Sequence, residues 1–257
     1  MRWLKNIVTT TVVGLAIAAS SPACSQGEGN GSIKGTLNIP DCWNGAFDLD
    51  PDFFAAVPYR ETSLTIRIQR GSDFQNFSDG ISILASDITK IRPSKDNPGK
   101  YGQALRVDIP PEVTPPGTPV VADPDPALVS FALYLQRSCK TQTVTLNAVD
   151  EVTLPSDGTC TADAMRGADP TQGCAADKDA PGGVGSGKSL IAFTSLANGK
   201  LDEEDAAQRL NQGCFDIYLA DPRDAKPGGG TPPPCRGHLR GTFSFYFERG
   251  RPAQPFP

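Results

Sequence analysis

The chain has 257 residues and a formal charge of −5, with 38% apolar and 21% charged side chains. Its 26 Gly and 24 Pro make about 19% of the chain, below the ~25–30% at which low complexity becomes the default. A packed core can therefore form, wholesale disorder is excluded, and the acidic balance disfavours nucleic acid phosphates and anionic lipid headgroups as charge-driven partners.

Arg2 and Lys5 give a basic start, and Ile7 to Ala19 is an apolar run of 13 residues. That run is too short to span a bilayer and right for a signal peptide over 1–23. Without Arg2 and Lys5, 22 basic and 29 acidic side chains remain, a mature charge of −7. The sequence Ser20-Ser-Pro-Ala-Cys24 after this start resembles the cleavage region of bacterial lipoprotein signals. The resemblance implies that Cys24 carries an acyl lipid of the palmitate type and becomes the first mature residue. It departs from the pattern at Ser21, where such signals usually carry Leu, and at Pro22. Ser21 and Ala23 also fit the small-x-small rule of ordinary signal peptidase, so a periplasmic or secreted form stays open. Ser25 after the cysteine implies sorting to the outer membrane in the lipoproteins it resembles.

Residues 24–32 read as a flexible tether by composition. From Ile33 onward the dominant period is two. Ile33, Gly35, Leu37 and Ile39 alternate with polar residues and predict a first strand. Trp43 beside Cys42 reads as a ring packed on a disulfide in preference to a sugar-binding platform, which usually needs several exposed aromatic faces. Asp48, Asp50 and Asp52 have the spacing that opens an EF-hand calcium loop, but Phe53 and Tyr59 stand where that loop needs Gly and Glu. The competing reading makes Asp50 the cap, and Pro51 the first residue, of a helical turn reaching Ala56.

Further strands are predicted over Leu64–Ile68, Ile81–Ile91, Leu105–Ile109, Val129–Leu135, Val144–Leu146, Leu190–Leu196, Phe215–Leu219 and Leu239–Phe247, about nine in all. A short helix is predicted over Leu201–Leu210, with Asp202 as cap and Gly213 beyond its end. Pro110–Pro126 and Pro155–Lys188 read as loops, and 251–257 as an extended tail. Antiparallel alternation with turn signals between strands predicts one mainly β domain over 33–250, an antiparallel sandwich with long loops. Ile33-Lys-Gly-Thr-Leu-Asn-Ile39 matches Leu239-Arg-Gly-Thr-Phe-Ser-Phe245 in polar and apolar pattern, which suggests that the first and last strands are neighbours.

Seven cysteines are present, at 24, 42, 139, 160, 174, 214 and 235. An exported protein rarely keeps a free thiol, so giving Cys24 to lipid leaves Cys42, Cys139, Cys160, Cys174, Cys214 and Cys235 for three disulfides. Among the 15 pairings of six cysteines, Cys160–Cys174 is the candidate that closes the second loop. Cys42–Cys235 is the candidate if the first and last strands pair antiparallel.

Gly182-Gly-Val-Gly-Ser-Gly-Lys-Ser189 fits the phosphate-loop string, which needs a buried strand before it and a helix after it. Asp-Lys-Asp-Ala-Pro precedes it and a strand-like run follows, so no nucleotide is expected. His238 is the single histidine, too little for a zinc site once the cysteines pair, and no nucleophile elbow is present. It is expected to face solvent or to pack structurally. Tyr134 and Tyr246 fall on the outward phase of their strands, either a patch for a partner or two isolated residues of ordinary surface.

Cys42-Trp-Asn-Gly-Ala-Phe-Asp-Leu49, Leu133-Tyr-Leu-Gln-Arg-Ser-Cys139 and Gly237-His-Leu-Arg-Gly-Thr-Phe-Ser-Phe-Tyr-Phe-Glu-Arg249 resemble segments of uncharacterised bacterial cell-envelope lipoproteins of myxobacterial type. The resemblance implies an envelope address and a Cys-rich β domain, and carries no catalytic or binding residue. The expectation is an exported lipoprotein anchored in the outer membrane, a non-enzymatic binding or structural module without cofactor or metal. Its partners would be the membrane, through the lipid, and an envelope protein or polymer. The alternatives are a carboxylate-based hydrolase of envelope polymers and an accessory subunit of an envelope complex.

Overall fold

The computed structural model describes residues 29–58, 62–71, 78–92, 104–109, 127–139, 144–154, 160, 189–197, 209–224 and 231–246. These form eleven strands: β1 (Gly29–Ile39), β2 (Trp43–Leu49), β3 (Phe53–Pro58), β4 (Leu64–Arg70), β5 (Asp79–Ala85), β6 (Ala104–Arg106), β7 (Val129–Leu135), β8 (Val144–Ala148), β9 (Leu190–Ser195), β10 (Leu210–Ala220) and β11 (Gly237–Tyr246). One helical turn, α1 (Ile88–Ile91), follows β5. The protein is mainly β, as the alternation predicts. All strands belong to one sheet, with the order β2-β1-β11-β10-β8-β7-β5-β4-β3, and every paired strand runs antiparallel.

The echo between the chain's ends has a structural basis. β1 and β11 pair directly, with Ile33 opposite Gly241, Gly35 opposite Leu239 and Leu37 opposite Gly237. Alternation then sends Ile33, Leu37, Leu239 and Phe243 into the core and Lys34, Thr36, His238 and Arg240 to the other face.

The sheet curls so that its ends share that core. Phe54 of β3 stacks on Phe245 of β11 at 5.7 Å, and Phe131 of β7 meets Phe215 of β10 at 5.0 Å. Such ring pairs contribute beyond their buried area. Gly31 makes the first contact possible. A Cβ there would lie 3.2 Å from the Phe54 ring and 2.7 Å from the Thr242 carbonyl oxygen, so the ring lies on nearly bare backbone.

β10 carries two partners on one edge. Its Gln212–Asp216 stretch pairs with β9, and Leu219–Ala220 pairs with β8. Between these branches the Ser189 hydroxyl accepts from the Tyr218 N–H at 2.9 Å and lies 3.3 Å from the Tyr218 carbonyl oxygen, to which it donates. A side chain thus replaces a missing backbone rung. The β9 branch continues through β6 to Val107, which bridges to Val129 of β7.

Several expectations are corrected. The proposed helical turn Asp50–Ala56 is replaced by β3, whose six residues pair with β4 from Phe53–Gln69 to Pro58–Leu64; this pairing overrides the local cap signal. Ile81–Ile91 is not one strand: Asp87 caps a helical turn by accepting from the Thr89 N–H at 3.0 Å. Leu210 and Gly213 lie inside β10 and do not end a helix, while residues 201–208 lie outside the described residues. The tether is shorter than 24–32, because Gly29–Ser32 already pair with Thr242–Phe245. The signal segment 1–23, the remaining tether, the Pro110–Pro126 loop and the 251–257 tail lie outside the described residues. No helix among the described residues is long and apolar enough to cross a membrane.

Candidate functional site

The face of β1, β2, β10 and β11 opposite the main core carries most of the polar chemistry. One row across four strands reads Asp48, Lys34, Arg240, Asp216. Lys34 and Arg240 stand directly opposite each other, an unfavourable pair by itself. Each has a carboxylate on its far side: Lys34 meets Asp48 at 3.2 Å and Arg240 Nε donates to Asp216 Oδ2 at 2.8 Å.

The next row places His238 opposite Tyr218, and the two rings stack at 4.1 Å with 7° between their planes. His238 Nε2 lies 2.5 Å from Asp216 Oδ1, so one carboxylate holds both the imidazole and the guanidinium. His238 is fully buried and Arg240 nearly so. Among the described residues, Nδ1 of His238 and Nη2 of Arg240 have no hydrogen-bond partner. Of the two expectations for His238, the packed structural one matches the geometry.

Chemically this is a carboxylate, an imidazole and a guanidinium locked together, with no nucleophile among the described residues on the free imidazole nitrogen. Nucleophilic catalysis needs a hydroxyl or thiol within hydrogen-bond reach of the base. Ser189, the described member of the Gly182–Ser189 string, is fully buried and its hydroxyl is engaged with the Tyr218 backbone. The element after it is strand β9, where a phosphate loop requires a helix. Residues 182–188 lie outside the described residues.

Other described acids also hold the fold. The Asp79 carboxylate accepts from the N–H groups of Arg137 and Ser138 and from the Ser138 hydroxyl, fixing the exit from β7. Asp48 pairs with Lys34 and Asp52 accepts from the Gly71 N–H, so the Asp48–Asp50–Asp52 series is not gathered around one point. Among the described residues no group of three or more His, Cys, Asp or Glu side chains could hold a metal.

The expected disulfide pairings are both corrected. Cys42 bonds Cys139, and Cys160 bonds Cys235. Pro40 and Asp41, the latter at φ 59°, make a turn closed by the Cys42 N–H donating to the Ile39 carbonyl. That turn carries Cys42 toward β2, leaving β1 between it and β11. Cys235 instead packs with Tyr218, Ala220, Val149 and Val152 in a second small core. Thr153 runs beside Pro234, and its carbonyl accepts from the Cys235 N–H. Cys214 is disulfide-bonded as well, to a partner outside the described residues. Cys24 and Cys174 also lie outside them.

Trp43 packs against the main core together with Cys42, meets Phe47 edge-on at 5.3 Å and donates its indole N–H to the Ala46 carbonyl at 3.1 Å. Tyr134 and Tyr246 do not form a patch. Tyr246 is half exposed, but Tyr134 is buried, with its hydroxyl donating to Gln69 Oε1 at 2.8 Å. Burial pushes the Tyr134 phenol up to about 12. Sequence reasoning missed Asp216. The signal was available: with Phe215, Ile217 and Leu219 inward, Asp216 and Tyr218 must share the face of His238 and Arg240 once β10 and β11 are neighbours.

Compared with family models, with curated proteins and with solved structures, the chain matches none.

Proposed function

We propose that the chain is an exported module, held at the cell envelope by lipid on Cys24, that binds or braces an envelope component without catalysing a reaction. The observation that supports this most is the state of its sulfur. Cys42, Cys139, Cys160, Cys214 and Cys235, all the described cysteines, are disulfide-bonded. Disulfides of this density belong to oxidising compartments. The non-catalytic part of the reading is supported by where the described polar groups are used. Asp216, Asp79 and Ser189 all serve the fold, and the single histidine is sealed from solvent.

Intact-mass analysis of protein extracted from membranes tests the proposal. The expected species lacks residues 1–23, carries acyl mass on Cys24 and is six hydrogens lighter than the reduced chain. An unacylated species beginning at Cys24 removes the anchor. Turnover of an envelope polymer by the purified protein removes the non-catalytic reading; the hydrolase alternative would need two carboxyls about 5–9.5 Å apart across a cleft.

A further inference from the structure

The Cys42–Cys139 and Cys160–Cys235 bonds differ in how they meet solvent. Cys160 and Cys235 are 0% and 5% exposed and are enclosed with Val149, Val152, Tyr218 and Ala220. Cys42 is part-exposed, in a run where Pro40, Asp41, Asn44, Gly45 and Ala46 are all exposed. On the other side of the bond, Arg137 and Ser138, just before Cys139, are exposed too. We propose that the Cys42–Cys139 bond is a site of thiol–disulfide exchange with an external dithiol, and that opening it releases the tip of the β1–β2 hairpin while the rest of the sheet stays folded.

Exchange requires an approaching thiolate to reach one of the two sulfurs, so access decides which of two bonds reacts first. One thiolate of the dithiol attacks Cys42 Sγ. The Cys42–Cys139 bond breaks, and Cys139 leaves as a thiolate and takes up a proton. The second thiol of the reagent then attacks the mixed disulfide at the reagent's own sulfur and frees Cys42. Two electrons and two protons pass from the dithiol to the protein, and the reagent ends as a disulfide.

The two sides of the bond are held unequally. The N–H groups of Arg137 and Ser138 donate to the Asp79 carboxylate, so Cys139 stays in place when the bond opens. The hairpin tip has fewer ties. The β1–β11 register ends at Leu37–Gly237, one further bond runs from the Asn38 N–H to the Arg236 carbonyl, and Ile39 pairs with Trp43 of its own hairpin. Among the described residues β2 has β1 as its only strand partner. Segments with so few ties open at the low end of local stability. The tip from Pro40 to Trp43 is thus freed, while Phe47 and Leu49, further along β2, remain in the core. The exchange site does not depend on lipid on Cys24.

Timed reduction of the full-length, membrane-extracted protein with dithiothreitol tests the proposal. Thiols exposed at each time are alkylated, and trypsin then places the label: Cys42 falls in Gly35–Arg60 and Cys160 in Thr141–Arg166, each peptide holding no other cysteine. The expected result is label on Cys42 several-fold sooner than on Cys160, with unchanged far-UV circular dichroism and at a rate that low urea does not alter. Cys160 should be labelled only as urea unfolds the protein. Emission from Trp43, the single tryptophan after residue 23, should change in step with the Cys42 label. Label reaching Cys160 before or together with Cys42 overturns the proposal. Loss of the strand signal in step with the Cys42 label also overturns it, because the bond then opens only by unfolding. Unchanged Trp43 emission overturns the release of the tip.

Discussion

Phe54→Ala tests whether the curled sheet is held by its own ends. Phe54 is 1% exposed, on a strand that pairs only with β4, yet its ring lies against Gly29, Gly31 and Phe245 from the opposite end of the strand order. A buried aromatic side chain removes about 150–250 Å2 from water, worth up to about 4–6 kcal/mol at ~25 cal/mol per Å2. Compactness of the unfolded chain trims that figure, and the retained Ala recovers part of it. The bare backbone of Gly29 and Gly31 has no side chain to collapse into the gap, so a cavity remains, and the loss should be about 3–5 kcal/mol. Urea unfolding followed by tryptophan fluorescence and far-UV circular dichroism measures it, with a lower midpoint expected at unchanged slope. Phe245→Ala combined with Phe54→Ala should cost less than the two single losses together, because the rings share one contact. A loss below about 1 kcal/mol for Phe54→Ala, typical of a surface position, would show that the two ends of the sheet do not hold each other.

Three other outcomes are expected. Asp216→Ala leaves a buried guanidinium and imidazole without their acceptor and should cost roughly 3 kcal/mol in denaturant unfolding, whereas Lys34→Ala, at an exposed pair, should cost less than about 1 kcal/mol. The 97-residue separation of Cys42 and Cys139 does not overlap the 75-residue separation of Cys160 and Cys235, so replacing either pair by Ala should cost about 2–5 kcal/mol independently of the other, read from melting curves. Tyr134 keeps its proton in the folded state to about pH 12 while the unfolded phenol loses it near 10, so its contribution to stability is present below pH 10 and lost as pH rises from 10 to 12. Tyr134→Phe should remove that part of the alkaline decline, measured by unfolding at stepped pH.

The strands with clean alternation were legible in the sequence: β1, β4, β7, β8, β10 and β11 sit where their period of two places them. The pairing of β1 with β11 was legible too, because the same small, polar and apolar sequence serves two faces of one ladder. β2 and β3 were hidden for opposite reasons. β2 is an edge whose Asn44, Gly45 and Ala46 are all exposed, so alternation fades there. In β3, Phe54, Ala55 and Ala56 are buried in succession, which erases the period and leaves the Asp-Pro-Asp cap pattern as the loudest local signal. Cys160–Cys174 failed because proximity along the chain is no guide once the sheet curls, and Cys42–Cys235 failed although β1 and β11 do pair, because the turn at Pro40 and Asp41 carries Cys42 away toward β2. His238 read as either solvent-facing or packed; it is outward by phase, and no pattern in the chain decides that its ring is enclosed.

The divided edge of β10 has a mechanical consequence. From β10 to β7 the backbone network runs by two separate routes, one through β8 and one through β9, β6 and the Val107–Val129 bridge, with Ser189 spanning the opening between them. A net with one such opening does not tear along a single line: if either route frays, the other still fixes the distance between Phe215 and Phe131, and the interior stays shut while the loose branch re-forms.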